Sequence, residues 1–229
     1  EYTALLAERL PMRGPHTPMR HEALFCTWNY GRFHEQFEGE LLETARFISQ
    51  ELPQLTFFLV DAGYQRPVEG RNPMGCCMLD GFYPDPRRNT DPAKFPEGMP
   101  AFAKKLRDMG LRPGIWWTPM THLDSQLFRE HPDWFVQTAD GGPMRIGDCG
   151  YLDLTVGGAR TFMDDVLGVV LGEWDMDALK MDFWSQAFEM RSGRVADPHG
   201  TALDARRTLF ELVRKYLPDD GVFLTCVAV

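Results

Sequence analysis

Two ionisable residues stand two positions apart in an apolar segment of the chain. Lys180 and Asp182 flank Met181 within Ala178–Trp184, a segment that reads as a strand. Side chains at positions i and i+2 of a strand point to the same face, so the ammonium and the carboxylate should be neighbours. A carboxylate kept ionised by a nearby lysine could act as a nucleophile, as a base or as a stabiliser of positive charge. A strand-end salt bridge with no catalytic role is the alternative.

A further carboxylate and several tryptophans could complete a binding site. Asp61 ends the second predicted strand, and its carboxylate could accept two hydrogen bonds from substrate hydroxyls or cap the next turn. Trp28, Trp116 and Trp184 also stand near strand ends. Their rings could stack on the apolar face of a sugar, although core packing uses tryptophan too. Carboxylates, a lysine and tryptophans, without metal or phosphate motifs, favour a neutral polyhydroxylated ligand.

The segments that would position these residues alternate between strand and helix. Apolar runs predict strands, and apolar residues at helical spacing predict helices. The predicted strands are Ala23–Tyr30, Thr56–Ala62, Arg112–Pro119, Ala178–Trp184 and Val222–Val229. The predicted helices are Glu35–Leu52, Gly98–Met109, Ala159–Gly172 and a helix that begins at Thr201, where the spacing to Asp204 resembles a capping box, and ends near Leu217. This alternation predicts a parallel α/β architecture.

Within that class, an open doubly wound sheet and a (β/α) barrel both fit the alternation. No G-x-G-x-x-G turn follows any predicted strand, which argues against a dinucleotide-binding sheet. Trp28, Asp61, Trp116 and Asp182 recur at the carboxyl ends of the first four strands, where a barrel collects its chemistry. We therefore expect a (β/α)8 TIM barrel.

Five predicted strands cannot close an eight-stranded barrel, and a central strand left at an edge is a liability that folded proteins avoid. We therefore expect the chain to cover about the first five βα units of a longer protein. Residues 1–22 would be the lead-in from a preceding domain. Residues 23–229 would be the N-terminal part of the catalytic barrel.

Composition and charge exclude several functional classes. The chain has 229 residues, of which 44% are hydrophobic, enough for a sizeable core. Its 24 basic and 33 acidic residues give a net charge of −9 with no basic stripe, so we expect no nucleic-acid partner. The apolar runs are shorter than the roughly 18 residues of a membrane span, so we expect no membrane association either.

The cysteines and histidines show no ligand spacing. Five cysteines without C-x-x-C spacing and six scattered histidines predict neither a disulfide framework nor a metal site. We therefore expect no metal and no cofactor. Unpaired cysteines favour a reducing, cytoplasmic compartment, and a homo-oligomer is compatible with the sequence.

Several segments along the chain match the motifs of one enzyme family, in the family's order. They are Trp28, VDAGY (Val60–Tyr64), the long block Asp91–Pro119, HPDW (His131–Trp134), YLDLT (Tyr151–Thr155) and ALKMDF (Ala178–Phe183). Together they resemble the catalytic barrel of the melibiase or α-galactosidase-like glycoside hydrolases, family 36 and the related family 27.

The resemblance implies a retaining, exo-acting α-glycosidase that cleaves terminal α-linked sugars of oligosaccharides or glycosides by double displacement. By position, Asp182 would be the nucleophile. Lys180 and Asp61 would bind sugar hydroxyls, and the sugar subsite would be lined by Trp28, Trp116 and Trp184. The family's acid/base is an aspartate on a later strand, which would lie beyond residue 229. Retaining chemistry needs two carboxylates about 5–5.5 Å apart, so the chain alone is expected to be inactive.

Three positions depart from the family's motifs. Ala62 replaces the second aspartate of the D-D-G-W form, Tyr64 replaces its tryptophan, and Trp184 stands where asparagine is frequent. These departures leave the choice of sugar open.

Other functions fit the same residues. A transglycosylase of the raffinose-synthase type would use the same nucleophile with a sugar as acceptor. A barrel that has lost catalysis would only bind carbohydrate. Lys180 could instead form a Schiff base, as in barrel aldolases, but this needs a lowered lysine pKa, which an adjacent carboxylate opposes.

Overall fold

The computed structural model describes residues 23–31, 36–66, 79–183 and 193–226. The strands in these ranges are β1 (Ala23–Cys26), β2 (Leu55–Val60), β3 (Arg112–Trp117), β4 (Met120–His122), β5 (Gln137–Thr138), β6 (Cys149–Tyr151), β7 (Ala178–Met181), β8 (Gly193–Arg194) and β9 (Val222–Thr225). The α-helices are α1 (Glu38–Glu51), α2 (Gly98–Asp108), α3 (Gln126–Glu130), α4 (Gly157–Leu167) and α5 (Ala202–Tyr216). No helix in the described ranges is both long and apolar enough to cross a bilayer.

The main sheet confirms the predicted parallel architecture. Its strands run in the order β1-β2-β3-β7-β9, and each neighbouring pair is parallel. The sheet is curled as in part of a (β/α) barrel. Helices connect the parallel strands, as a parallel sheet requires. The described part of the chain therefore has the fold that the sequence predicts.

Side chains of the sheet alternate between two apolar clusters. Phe58, Ile115 and Leu179 belong to the large core that also contains the helices. Leu59 and Trp116, one position further along their strands, belong to a smaller cluster on the concave face. Burial on both faces explains why these strands are near-continuous apolar runs in the sequence.

Gly114 leaves room for close packing on the concave face. Leu59, Gly114 and Ala178 are partners in register on β2, β3 and β7. A Cβ at Gly114 would lie 2.9 Å from the Ala178 Cβ and 3.3 Å from the Leu59 Cβ. Only glycine fits at this point, and the packed layer supports the residues at the carboxyl ends of the same strands.

Several predicted strands end earlier than expected. β1 ends at Cys26, and Thr27–Tyr30 forms a 3-10 turn that Gly31 closes in the left-handed region, with φ 75°. β7 ends at Met181 because Phe183 has φ 52°, which an extended strand excludes. β9 ends at Thr225, and residues 227–229 lie outside the described ranges.

The segment after β3 carries more structure than predicted. Residues 120–152, expected to be an irregular excursion, include α3 and the antiparallel pair β4–β6. These strands have three residues each, too few to show a periodic pattern. The predicted capping box is confirmed: the Thr201 side chain accepts from the Asp204 backbone N–H, and the Asp204 side chain accepts from the Thr201 backbone N–H.

Candidate active site

The carboxyl ends of three neighbouring strands bring together four of the predicted site residues. Asp61 directly follows β2, Trp116 lies in β3, Lys180 lies in β7, and Asp182 directly follows β7. The fifth, Trp28, lies in the turn after β1 and packs, partly buried, against the cluster that contains Trp116. Trp184 and the predicted lead-in 1–22 lie outside the described residues.

Asp61 is buried and held from several sides. It is 1% exposed, and its Oδ2 lies 2.7 Å from the Lys180 Nζ and 3.2 Å from the Cys26 Sγ. Its Oδ1 accepts from the Ala62 backbone N–H at 2.8 Å, and its own backbone N–H donates to the Thr27 hydroxyl at 2.9 Å. The carboxylate therefore has a fixed orientation.

Lys180 forms its salt bridge with Asp61 rather than with Asp182, the neighbour that i, i+2 spacing predicted. The curl of the sheet explains the difference, because it brings side chains of β2 and β7 towards each other across the concave face.

The Asp61 carboxylate raises the pKa of Lys180. Burial is the largest single cause and lowers this pKa, but the hydrogen bond and the charge of Asp61 together raise it by more. A Schiff-base lysine must be neutral, so this pairing argues against the aldolase alternative.

Asp182 is half-buried at the mouth of the sheet, and two donors hold its carboxylate. Its Oδ2 accepts from the Trp116 Nε1 at 3.1 Å, and its Oδ1 accepts from the Phe183 backbone N–H at 2.9 Å. The Tyr151 hydroxyl donates to the Phe183 carbonyl at 3.3 Å, which anchors the left-handed turn at Phe183. An oriented carboxylate whose charge is stabilised by donors and which still reaches the surface can act as a nucleophile.

A model of the family named Melibiase matches residues 87–215, which is more than half of the chain. This chain belongs to the melibiase family. The match includes the whole block Asp91–Pro119 and the HPDW, YLDLT and ALKMDF segments. Trp28 and the VDAGY segment lie outside the matched residues, yet the fold brings both to the same site.

Several curated relatives of this melibiase-family chain carry the name α-galactosidase. Alpha-galactosidase 2 of Pediococcus pentosaceus is 30% identical over 142 residues, which cover 56% of this chain and 20% of the relative. Alpha-galactosidase of Escherichia coli is 29% identical over 164 residues, 70% of this chain and 21% of the relative. The chain thus spans about a fifth of the length of these relatives.

A solved α-galactosidase structure shares the fold of this chain. TtGalA, an α-galactosidase from Thermus thermophilus determined in complex with p-nitrophenyl α-D-galactopyranoside, matches with a TM-score of 0.64 and 25% identity. The match covers 90% of this chain and 38% of that chain. The fold and the family are therefore common to this chain and the α-galactosidases, and the comparisons do not favour the alternative functions.

Two residues that contact the site were not predicted from the sequence. Cys26 and Thr27 both bind Asp61, but Cys26 shows no disulfide or metal-ligand spacing in the sequence. Their position at the end of a predicted strand beside Trp28 was the available signal. Within the described ranges, Cys149 and Cys226 form no disulfide, and no group of three or more His, Cys, Asp or Glu could hold a metal ion; Cys76 and Cys77 lie outside these ranges.

A second buried polar pair lies away from the four site residues. His122, in β4, lies 3.2 Å from the Asp80 carboxylate, and both side chains are largely buried. The pair joins β4 to the 3-10 turn Leu79–Phe82 that follows the long segment after β2. No motif signal pointed to it, since the two residues stand far apart in the sequence.

Proposed function

We propose that the protein containing this chain is a retaining α-glycosidase of the α-galactosidase type, with Asp182 as its nucleophile. The observation that supports this most is the Asp182 carboxylate. It is half-buried at the carboxyl end of β7, it accepts hydrogen bonds from Trp116 and the Phe183 backbone, and the Asp61–Lys180 pair lies on the same concave face. The ALKMDF motif gives Asp182 the same role by family resemblance.

In the first step, a carboxylate oxygen of Asp182 attacks the anomeric carbon. The bond from that carbon to the leaving oxygen breaks, and its electron pair stays with the oxygen, which takes a proton from the acid/base. In the second step, water attacks the same carbon and gives its proton to the acid/base, and the bond to Asp182 breaks to restore the carboxylate. Two inversions give retention. We place the acid/base beyond residue 229, as the family resemblance implies.

Asp61 and Lys180 suit the binding of sugar hydroxyls. The Lys180 ammonium has three N–H donors. One bonds Asp61 and one faces the Cys26 Sγ, which leaves one for a sugar. Trp116 and Trp28 would form apolar walls against the ring, with Trp184 as a further wall. The substrate would be a terminal α-galactoside of an oligosaccharide or glycoside, by analogy with TtGalA and its p-nitrophenyl α-D-galactopyranoside complex.

Product stereochemistry tests this proposal. The complete protein is incubated with p-nitrophenyl α-D-galactopyranoside, and the anomeric protons of the released sugar are followed by NMR before mutarotation. We expect the α-anomer first. Release of the β-anomer first would overturn the retaining mechanism, and sugar transfer without hydrolysis would favour the transglycosylase.

Two further expectations concern the complete protein. We expect a cytoplasmic location, which fractionation of the source cells tests, and a homo-oligomer, which light scattering in solution tests.

The chain 1–229 alone is expected to be inactive, and turnover by this chain alone would contradict the placement of the acid/base.

A further inference from the structure

The thiol of Cys26 lies inside the candidate site but takes no part in the mechanism above. Cys26 ends β1 and is 5% exposed. Its Sγ lies 3.2 Å from the Asp61 Oδ2, the same oxygen that the Lys180 Nζ contacts at 2.7 Å, and 4.0 Å from that Nζ. One carboxylate oxygen therefore has a thiol and an ammonium as donors.

We propose that Cys26 is a positioning residue, whose thiol orients the Asp61 carboxylate so that its Oδ1 accepts a hydrogen bond from a substrate hydroxyl. The inference rests on the proposed function and deepens it, since it concerns how the same site recognises its sugar.

The hydrogen-bond geometry leads to this assignment. A carboxylate oxygen accepts about two hydrogen bonds. Among the described residues, Oδ2 has two donors, Cys26 and Lys180, whereas Oδ1 has one, the Ala62 backbone N–H. Oδ1 thus has one acceptor position that no donor of the described residues fills. The terminal torsion of an aspartate is soft, so loss of the thiol would leave Oδ2 with the Lys180 donor and widen the range of orientations that the carboxylate adopts.

The thiol is suited to donate rather than to react. Burial, and then the negative charge of Asp61, raise the pKa of Cys26 to about 11. A thiol with a raised pKa is a poor nucleophile and a poor metal ligand at neutral pH, but it keeps its proton for Asp61.

The neighbouring residue holds the backbone of Asp61 in the same way. The Thr27 hydroxyl, 1% exposed, accepts from the Asp61 backbone N–H at 2.9 Å. The end of β1 therefore contacts Asp61 at both its main chain and its side chain. The Thr27 contact holds the main chain of Asp61, and the Cys26 thiol acts with Lys180 and the Ala62 N–H to orient its carboxylate.

The test compares Cys26→Ala and Cys26→Ser in the complete protein, with Ser49→Ala as the control. Ser49→Ala also removes one side-chain donor, because the Ser49 Oγ in α1 donates to the Met109 carbonyl. We expect Cys26→Ala to raise KM by about 10-fold, the effect of one lost hydrogen bond to a charged group, with kcat within about 3-fold. Cys26→Ser should restore KM, because a hydroxyl also donates to Asp61, and Ser49→Ala should change neither constant.

A second readout separates positioning from packing. The complete protein is assayed with aryl α-galactosides that each lack one hydroxyl, and Asp61→Asn identifies the hydroxyl that Asp61 binds. Cys26→Ala should reduce discrimination against that one analogue and leave the others unchanged. If Cys26→Ala does not fold, Cys26→Val, which fills the space without a donor, takes its place.

The outcomes distinguish this inference from the proposed function. Full discrimination in Cys26→Ala, or equal losses in Cys26→Ala and Cys26→Ser, would overturn the positioning role while hydrolysis continues. If the wild-type protein neither cleaves nor binds any α-glycoside, the proposed function fails, and the inference fails with it.

Discussion

The Lys180 ammonium lies 2.7 Å from a carboxylate oxygen of Asp61, a residue 119 positions earlier in the chain. The contact joins β7 to β2 across the concave face of the sheet. The side chains are 16% and 2% exposed, so each charge depends on the other for compensation. A single ion pair therefore couples two of the motifs that carry the family resemblance, VDAGY and ALKMDF.

Replacing Lys180 with methionine would leave the buried Asp61 carboxylate without its partner. We expect this change to lower the unfolding free energy of the barrel by about 3–5 kcal/mol, the usual result of breaking a buried pair. Lys104→Met is the control, because the Lys104–Asp108 pair is exposed on α2 and should contribute less than about 1 kcal/mol. Thermal unfolding of the complete protein measures both. Equal losses would contradict the argument.

The same pair predicts a dependence of stability on alkaline pH. The folded-state pKa of Lys180 is raised above its ordinary 10.5, so the folded protein holds this proton more tightly than the unfolded chain. The stabilisation is fully present below pH 10.5 and is lost as pH rises through the higher folded-state value. The difference in thermal midpoint between wild type and Lys180→Met should therefore be constant from neutral pH to about pH 10 and shrink above it.

Two aspartates flank β7 and should have opposite roles. Asp182 follows the strand at its carboxyl end, while Asp177 precedes it and binds Arg107 and Arg112. We expect Asp182→Asn to lower kcat by at least about 1000-fold, as loss of a nucleophile does, with little change in thermal midpoint. Asp177→Asn should lower the midpoint and leave kcat near wild type, since the amino ends of barrel strands serve stability.

Alanine substitutions at two separate glycines, Gly114 and Gly39, test the packing of the concave layer beneath the site. Gly114→Ala would place a Cβ 2.9 Å from the Ala178 Cβ, and we expect a loss of about 1–3 kcal/mol from overpacking. Gly39→Ala in α1 meets nothing within 4 Å and should stabilise the helix by about 0.5–1 kcal/mol. Chemical denaturation measures both signs. Stabilisation by Gly114→Ala would show that the concave layer is looser than described.

The start of α5 offers a test of local structure. Thr201→Ala removes the side chain that caps the Asp204 backbone N–H, and we expect a loss of about 1 kcal/mol. Thr201→Ser keeps the hydroxyl and should recover most of it. If the serine variant is no more stable than the alanine variant, the capping box does not contribute.

The fold and most of the site could be predicted from the sequence because their signals are local. Runs such as TFFLVDA are apolar on both faces, which is typical of a buried parallel strand. Period-two alternation placed Lys180 and Asp182 on one face, and strand-end positions placed Asp61 and Trp116 near them. The family motifs gave the order of these residues and the role of Asp182.

The rest depends on contacts between distant parts of the chain. Pairing of Lys180 with Asp61 requires the curl of the sheet, which no spacing along one strand reports. Cys26 acquires a partner only because β1 lies beside β2, with Cys26 and Leu59 in register. The β4–β6 pair forms between segments of three residues, below the length at which alternation is visible. Phe183 takes a left-handed conformation that its residue type disfavours, and so ends β7 early.

Covalent trapping tests the central claim most directly. The complete protein is incubated with an activated fluoro-α-galactoside, which forms a long-lived glycosyl-enzyme with a retaining nucleophile, and the labelled peptide is sequenced by mass spectrometry. We expect one label, on Asp182, with loss of activity in proportion to labelling. A label on Asp61 or on any other carboxylate, with Asp182 unmodified, would contradict it.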